Sequence, residues 1–460
     1  MSAAREPRAQ GQVLVAFGTL VLIVAAMALL DRTGTRASAP LAAGTAPSGA
    51  WLCPHGGSGM SISLFLANPG PATVTARITR LGSKQAGPSQ RYDVAAGTTL
   101  RIEDVPSDRG AATYVEYFGG WIGAGWVSSA DEGIAAEPCA PDAARTWFLA
   151  DGTTQLGEEA FVIVANPFAA ASVMDVVLYT ADQAPIRNAE WTDLVVPARR
   201  SMSLHLNTKV KGEPVVAVAL EVSVGRVAAA SLGVSDRTTM RSTLGWTEPA
   251  TDATFPLMQG SGQTELLLLS TAQASVRFGA TVLSEGQPQP AGGLTEQEHG
   301  PAAARAYAVP VDPGPAAIRV FTLEDAPAVG ALRALGPGED LGATAGAVTT
   351  SDSWIVLPAT AGTLVTPGAV VVNDEDVDLV VTAELLPPEG GSATAPVTVQ
   401  VPAHSAAAVP QELWASAPDA AMLIRAEQGL VVALAASTSQ GETGAGAFAL
   451  SMGVPLPHDP

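Results

Sequence analysis

Four times along this chain an aromatic-led apolar strand is followed by a second apolar run that closes on a turn residue. The strands begin Trp51-Leu-Cys-Pro-His-Gly, Trp147-Phe-Leu-Ala-Asp-Gly, Phe255-Pro-Leu-Met-Gln-Gly and Trp354-Ile-Val-Leu-Pro. The runs close at Asn68, Asn166, Ser270 and Asn373, which lie 98, 104 and 103 residues apart. Such a period is a domain's length and far exceeds a solenoid unit. The chain is therefore expected to hold four related modules, at 51–140, 141–250, 251–345 and 346–460.

Module two gives the clearest strand pattern. Short apolar runs at 146–150, 161–165, 173–180, 191–196, 201–206, 215–222 and 226–232 are separated by turn residues. In Ser201-Met-Ser-Leu-His-Leu206 the alternation puts Met202, Leu204 and Leu206 on one face and His205 on the other, towards solvent. No amphipathic helix of useful length interrupts these runs. The expected fold is all-β, with tandem immunoglobulin-like or fibronectin-like β-sandwich modules. Apolar residues make up 47% of the chain and charged ones 15%, so each module can bury a core.

Ahead of the modules, residues 13–30 form an apolar run broken only by Gly18 and Thr19, just long enough to cross a bilayer. It is longer than a usual signal core, and the cleavage-like Ala37-Ser38-Ala39 lies well beyond it, followed by Pro40. The run reads as an uncleaved transmembrane anchor, with 1–12 cytoplasmic and 31–50 a flexible tether. The expected location is the cell membrane, single-pass, with the modules on the extracytoplasmic side. A net charge of −20 argues against nucleic acid and anionic lipid headgroups as partners.

The chain has two cysteines. Cys53 lies in the first strand of module one and Cys139 just past its last, so a bridge between them would tie the module's two ends together. In the chain-entropy model a loop of that length is worth roughly 4 kcal/mol. Asn68-Pro69 and Asn166-Pro167 end the second strands. There, proline cannot donate to a ladder and the asparagine amide can satisfy backbone groups. Val-Pro-Ala at 196–198 recurs at 401–403, with Ala95-Ala-Gly97 and Gly300-Pro-Ala302 in matching places.

The N-terminal apolar segment, Trp51-Leu-Cys-Pro-His, the repeated Ala-Asn-Pro and Val-Pro-Ala together resemble a group of uncharacterised actinobacterial secreted or membrane-anchored proteins, grouped only as a domain of unknown function. The resemblance spans most of 51–437 and implies an envelope protein. It carries over no catalytic residue.

Sites of chemistry are sparse. Histidines 55, 205, 299, 404 and 458 have no partner at metal-ligand spacing, and no nucleophile elbow or phosphate loop occurs. No catalytic residue, cofactor or metal site is expected. Asn373-Asp-Glu-Asp-Val-Asp378 is the densest acidic run and reads as a solvated turn ahead of a calcium loop. Trp121 and Trp126 form the candidate binding surface. Being five apart, they should point to opposite faces of a regular strand, one in the core and one exposed. The expected function is a non-enzymatic, membrane-anchored structural or interaction protein of the cell envelope that presents its modules to a protein partner. The alternative is binding, or processing, of wall glycan.

Overall fold

The computed structural model describes residues 48–457, apart from 58, 104, 106–109, 131–132, 236–238, 260–263, 337–339, 361–364, 416 and 441–445. The expected anchor at 13–30 and nearly all of the tether lie outside the described residues. No helix among those described is long and apolar enough to cross a membrane.

In module one, β1 (Ser48–Cys53), β2 (Ser61–Asn68), β3 (Val74–Leu81), β4 (Ala86–Val94), β5 (Thr98–Ile102), β6 (Ala112–Phe118), β7 (Gly123–Ala130) and β8 (Gly133–Pro138) form two antiparallel sheets, ordered β1-β6-β3-β4 and β5-β2-β7-β8. The same order recurs in modules two, three and four, with small edge strands added. The chain is thus all-β, four tandem two-sheet sandwiches.

The strand order corrects the expected immunoglobulin-like arrangement. There the first strand pairs with the second and the seventh with the sixth. Here β1 pairs β6 and β7 pairs β2, so the first and seventh strands have exchanged sheets. Sequence periodicity marks strands but is blind to which neighbour each one finds. It also left out the eighth strand, which in module two is Met240–Leu244.

The repeated asparagine is a keystone. Asn166 Nδ2 donates to the carbonyls of Ala170, Val196 and Pro197, while its Oδ1 accepts from the Phe168 backbone. Asn68 repeats this with Ala72, Val94, Ala95 and Gly70, and Asn373 with Val377, Val401, Pro402 and Glu375. All three side chains are fully buried. In modules two and four Val-Pro-Ala supplies two of the three carbonyls, and in every module the residue just before the fifth strand turns left-handed: Gly97, Arg199, Ala302 and His404 all have φ between 43° and 66°. Module four makes the whole network with Asp374 where modules one and two have proline. In module three Ser270 keeps only the bond from the Ala272 amide.

One expected equivalence shifts. Trp51, Trp147 and Trp354 pair in register with Val115, Leu220 and Ile424, and each indole N–H donates to the carbonyl before the seventh strand, at Ile122, Val227 and Val431. In module three Ala253, opposite Val320, holds that place. Phe255 lies two residues further along the same face. It is accommodated by Gly330 and Gly346, where an added Cβ would come within 2.4 Å of the ring.

The modules close into a ring. β8 packs against the eighth strands of module two (Met240–Leu244) and module four (Gly446–Met452), and that of module three (Leu341–Thr344) packs against both of those as well. At the periphery one hydrogen bond repeats: the second residue of a fifth strand donates to the carbonyl just past the third strand of the preceding module. Ser201 donates to Gly82, Ala304 to Thr180 and, closing the circle, Thr99 to Pro387. Between modules two and three the buried Arg333 holds Asp151 at 2.6 Å, and Arg241 approaches the same carboxylate at 3.5 Å. Burial works to raise the Asp151 pKa, but the two guanidinium groups overcome it and hold the carboxyl below its ordinary range.

Two outcomes follow for stability, measured by urea unfolding. Asn166→Ala strands three buried carbonyls and should cost about 3 kcal/mol, whereas Pro167→Ala should cost less than about 1 kcal/mol. Asp151→Asn leaves two buried arginines short of their anion and should cost about 3 to 5 kcal/mol.

Candidate functional site

Because the eighth strands surround one axis in the same direction, their C-terminal ends converge. The segments leaving them, Pro138–Asp142, Leu244–Glu248, Ala345–Thr349 and Met452–Pro457, each return to the edge of their own first strand. They pair there as Leu52 with Ala140, Phe148 with Trp246, Thr254 with Ala347, and Ile355 with Val454. The four exits enclose a hollow of about 680 Å³ to which every module contributes. That volume lies within the range of small-molecule sites.

Five tryptophans line it: Trp51, Trp121, Trp147, Trp246 and Trp354. The first-strand tryptophans of modules one, two and four are there because their indoles are pinned to the carbonyls named above. Module three has no such tryptophan, and Trp246 from the exit of module two leans over instead, stacking on Phe255 at 6.3 Å and donating to the Ala345 carbonyl. Trp121 meets Trp51 edge to face at 6.0 Å.

The charged residues that line the hollow are Glu137, Asp142 and Glu248; no lysine, arginine or histidine is among the described lining residues. Glu137 is unusual. In register across the eighth and seventh strands, Glu137 faces Trp126, where the other modules place Thr243 opposite Ser231, Thr344 opposite Leu332 and Ser451 opposite Ala435. A carboxylate thus stands where three counterparts carry a hydroxyl. Glu137 is 1% exposed, with the Leu244 backbone amide as the donor beside its carboxyl, and Trp126 Nε1 opposite has no hydrogen-bond partner. Burial pushes its pKa well above the ordinary 4.5, against the pull of the Leu244 backbone amide and with a small addition from the Asp151 charge. A buried carboxylate with no cation beside it is costly.

The residues singled out from sequence fall in different places. Cys53 and Cys139 form the disulfide, with S–S 2.04 Å. Trp126 is in the core of module one, so it contributes to no surface, while the half-buried Trp121 lies ahead of β7 and not on it. The alternation argument therefore did not apply to the pair, and the structure does not bring them together as one patch. In the acidic run, Asp374 pairs with Arg319 at 3.1 Å, Asp376 with His404 at 2.9 Å, and Asp378 accepts from the Ala403 amide. His404 lies between two of these carboxylates, with Asp374 at 3.6 Å on its other ring nitrogen, and no group of three or more potential metal ligands occurs among the described residues. Glu137, Trp246 and the hollow were missed. The available signal was a lone acid in Gly133-Ile-Ala-Ala-Glu137, aligned with Thr and Ser once the eighth strand is recognised.

Linkage gives the sign for Glu137. Its folded pKa is raised, so the folded state holds the proton more tightly, and wild-type stability falls as pH rises from the ordinary carboxylate range through the folded pKa. Glu137→Gln removes that dependence. Urea unfolding at a series of pH values should show the variant level with wild type near pH 4 and progressively more stable above it.

The chain belongs to a family of unknown function, DUF5719, whose model matches residues 121–409, from the approach to β7 through the fifth strand of module four. No curated protein matches the chain. Among solved structures, a tetra-tandem repeat in the extending region of a large adhesion protein is 10% identical, covering 90% of this chain and 100% of that one, with a TM-score of 0.11.

Proposed function

We propose that this chain is a non-enzymatic interaction protein of the bacterial cell envelope, held in the membrane by residues 13–30 with the ring of modules on the extracytoplasmic side. The hollow at the hub receives part of a protein partner. The observation that carries this reading is the hollow's construction from all four modules: tandem sandwiches on a string would not need to converge their strand ends on one aromatic-lined cavity. Tryptophan faces supply contact area at small entropic cost. The described lining residues pair no base with a nucleophile, which favours binding over turnover. The disulfide between Cys53 and Cys139 fits an oxidising compartment. The same indoles would also stack on sugar rings, and this favours wall glycan as the second reading.

The test is capture from fractionated native envelope by the full chain in mild detergent, with the protein and wall-glycan fractions kept apart. Val348, half-exposed and lining the hollow, is the place to block it. Wild type should retain a defined protein, and Val348→Trp should lose at least tenfold of it. Equal retention by the blocked variant would overturn the hollow as the docking site, and retention from the glycan fraction alone would replace the partner by the wall polymer.

A further inference from the structure

We infer that Glu137 is a proton-operated latch on the hub: while its carboxyl is protonated the exit of module two, Leu244–Glu248, stays packed in place, and its ionisation releases that exit together with Trp246. This goes beyond the docking reading, since the latch works on the protein alone.

The latch sits where two modules meet. Glu137 is the residue before the exit of module one, Pro138–Asp142, and Leu244 is the first residue of the exit of module two. β8 packs against the eighth strand of module two, and the Leu244 backbone amide is the donor beside the Glu137 carboxyl. One acid thus stands at the roots of both exits. The other modules place Thr243, Thr344 and Ser451 at this position, and none of those titrates.

The surroundings decide what the proton does. β7 and the eighth strand of module four (Gly446–Met452), both packed on β8, carry no ionisable side chain. The eighth strand of module two carries Arg241, whose guanidinium is engaged by Asp151 at 3.5 Å and Glu158 at 3.1 Å. The charge that acts on Glu137 is that of Asp151, an anion. Further along the two exits, Asp142 and Glu248 are exposed and also acidic. A protonated Glu137 is neutral and keeps the Leu244 amide. An ionised one is a carboxylate closed to solvent with no cation beside it, and it regains hydration only where the packing parts.

The disulfide sets which side gives. Cys139 ties the exit of module one to Cys53, and its amide also donates to the Ala124 carbonyl. The exit of module two has no covalent tie. Reciprocal backbone bonds between Trp246 and Phe148 hold it to its own first strand, and the Trp246 indole holds it to the Ala345 carbonyl. Its residues are half-buried or exposed, so water reaches them. Because this exit borders the hollow, releasing it remodels the mouth.

Linkage fixes sign and slope. Burial raises the carboxyl's pKa in the closed hub, whereas the opened hub has an ordinary carboxyl, so opening becomes easier as pH rises. Each opening allows one proton to leave. The opening equilibrium therefore grows about tenfold per pH unit between the two pKa values and levels off above the closed one.

The test is amide hydrogen exchange on the full chain in mild detergent, from about pH 5 to about pH 8, corrected for the intrinsic pH dependence of exchange. The Trp246 amide reports the exit of module two, and the Ala347 amide, which makes the equivalent bond to Thr254 in module three, is the internal control. Trp246 protection should fall about tenfold per pH unit in wild type before levelling off, while Ala347 protection changes less than about twofold. Glu137→Gln should make Trp246 protection independent of pH. Glu137→Thr, the counterpart side chain of modules two and three, should do the same and serves as the check should the glutamine variant fold poorly. Constant Trp246 protection in wild type, or a fall that persists in a folded variant, would overturn the latch. A parallel fall at Ala347 would overturn it too, because the proton would then act on global unfolding and not on one exit.

Discussion

Closure of the ring is the constraint on which the rest depends. Thr99 of module one donates through its backbone to Pro387 and through its hydroxyl to Leu386, nearly three hundred residues along the chain. The Ala421 amide returns a bond to the same hydroxyl, and Arg101 reaches Asp419 at 2.8 Å. These contacts repeat the geometry by which module two sits on module one. Three of the four module junctions thus share one contact, and its use between modules four and one carries the loop-closure entropy of nearly the whole folded chain. Apolar burial offsets that cost, since the cores of modules one, three and four form one continuous cluster through the hub.

Closure also explains the small residues near the axis. Gly123 and Gly125 in β7 lie against Ile355 and Leu357 of module four, where an added Cβ would come within 3.2 and 2.7 Å of those side chains. Gly336 and Gly342 make room for Phe448 in the same way. The alanine content that looks like plain composition in the sequence is partly a packing requirement, because strands from neighbouring sandwiches can approach closely only where side chains are small.

Local chemistry was legible in the sequence and long-range placement was not. The asparagine turn could be read because an Asx side chain acts on backbone groups within a few residues and on one adjoining loop. The disulfide could be read because each cysteine lies at one end of a module. The anomalous third module was also visible, although its aromatic was placed one register position out: Phe255 and Ala253 share a face, and spacing alone cannot say which meets the carbonyl before the seventh strand. Strand pairing escaped because the exchange of first and seventh strands leaves every alternation pattern unchanged. The hollow escaped because its residues come from all four modules, and Trp246, which completes it, sits in a linker of no regular pattern.

Glu137 then bears on why the hollow is more than a packing defect. A void left by imperfect convergence would be lined by whatever the repeat supplies, and at this position the repeat supplies Thr243, Thr344 and Ser451. Those hydroxyls are small, and two of them find partners nearby: Thr243 with Ser231 at 2.6 Å, and Thr344 with the Gly346 amide at 3.2 Å. Substituting glutamate puts a longer, ionisable side chain at a position closed to solvent, where the Leu244 backbone amide only partly offsets burial, at a cost to folding that threonine would avoid. The module that departs from the hydroxyl pattern also carries the disulfide and adds Trp121 to the wall, so in module one the departures from the common plan gather on one side of the hollow.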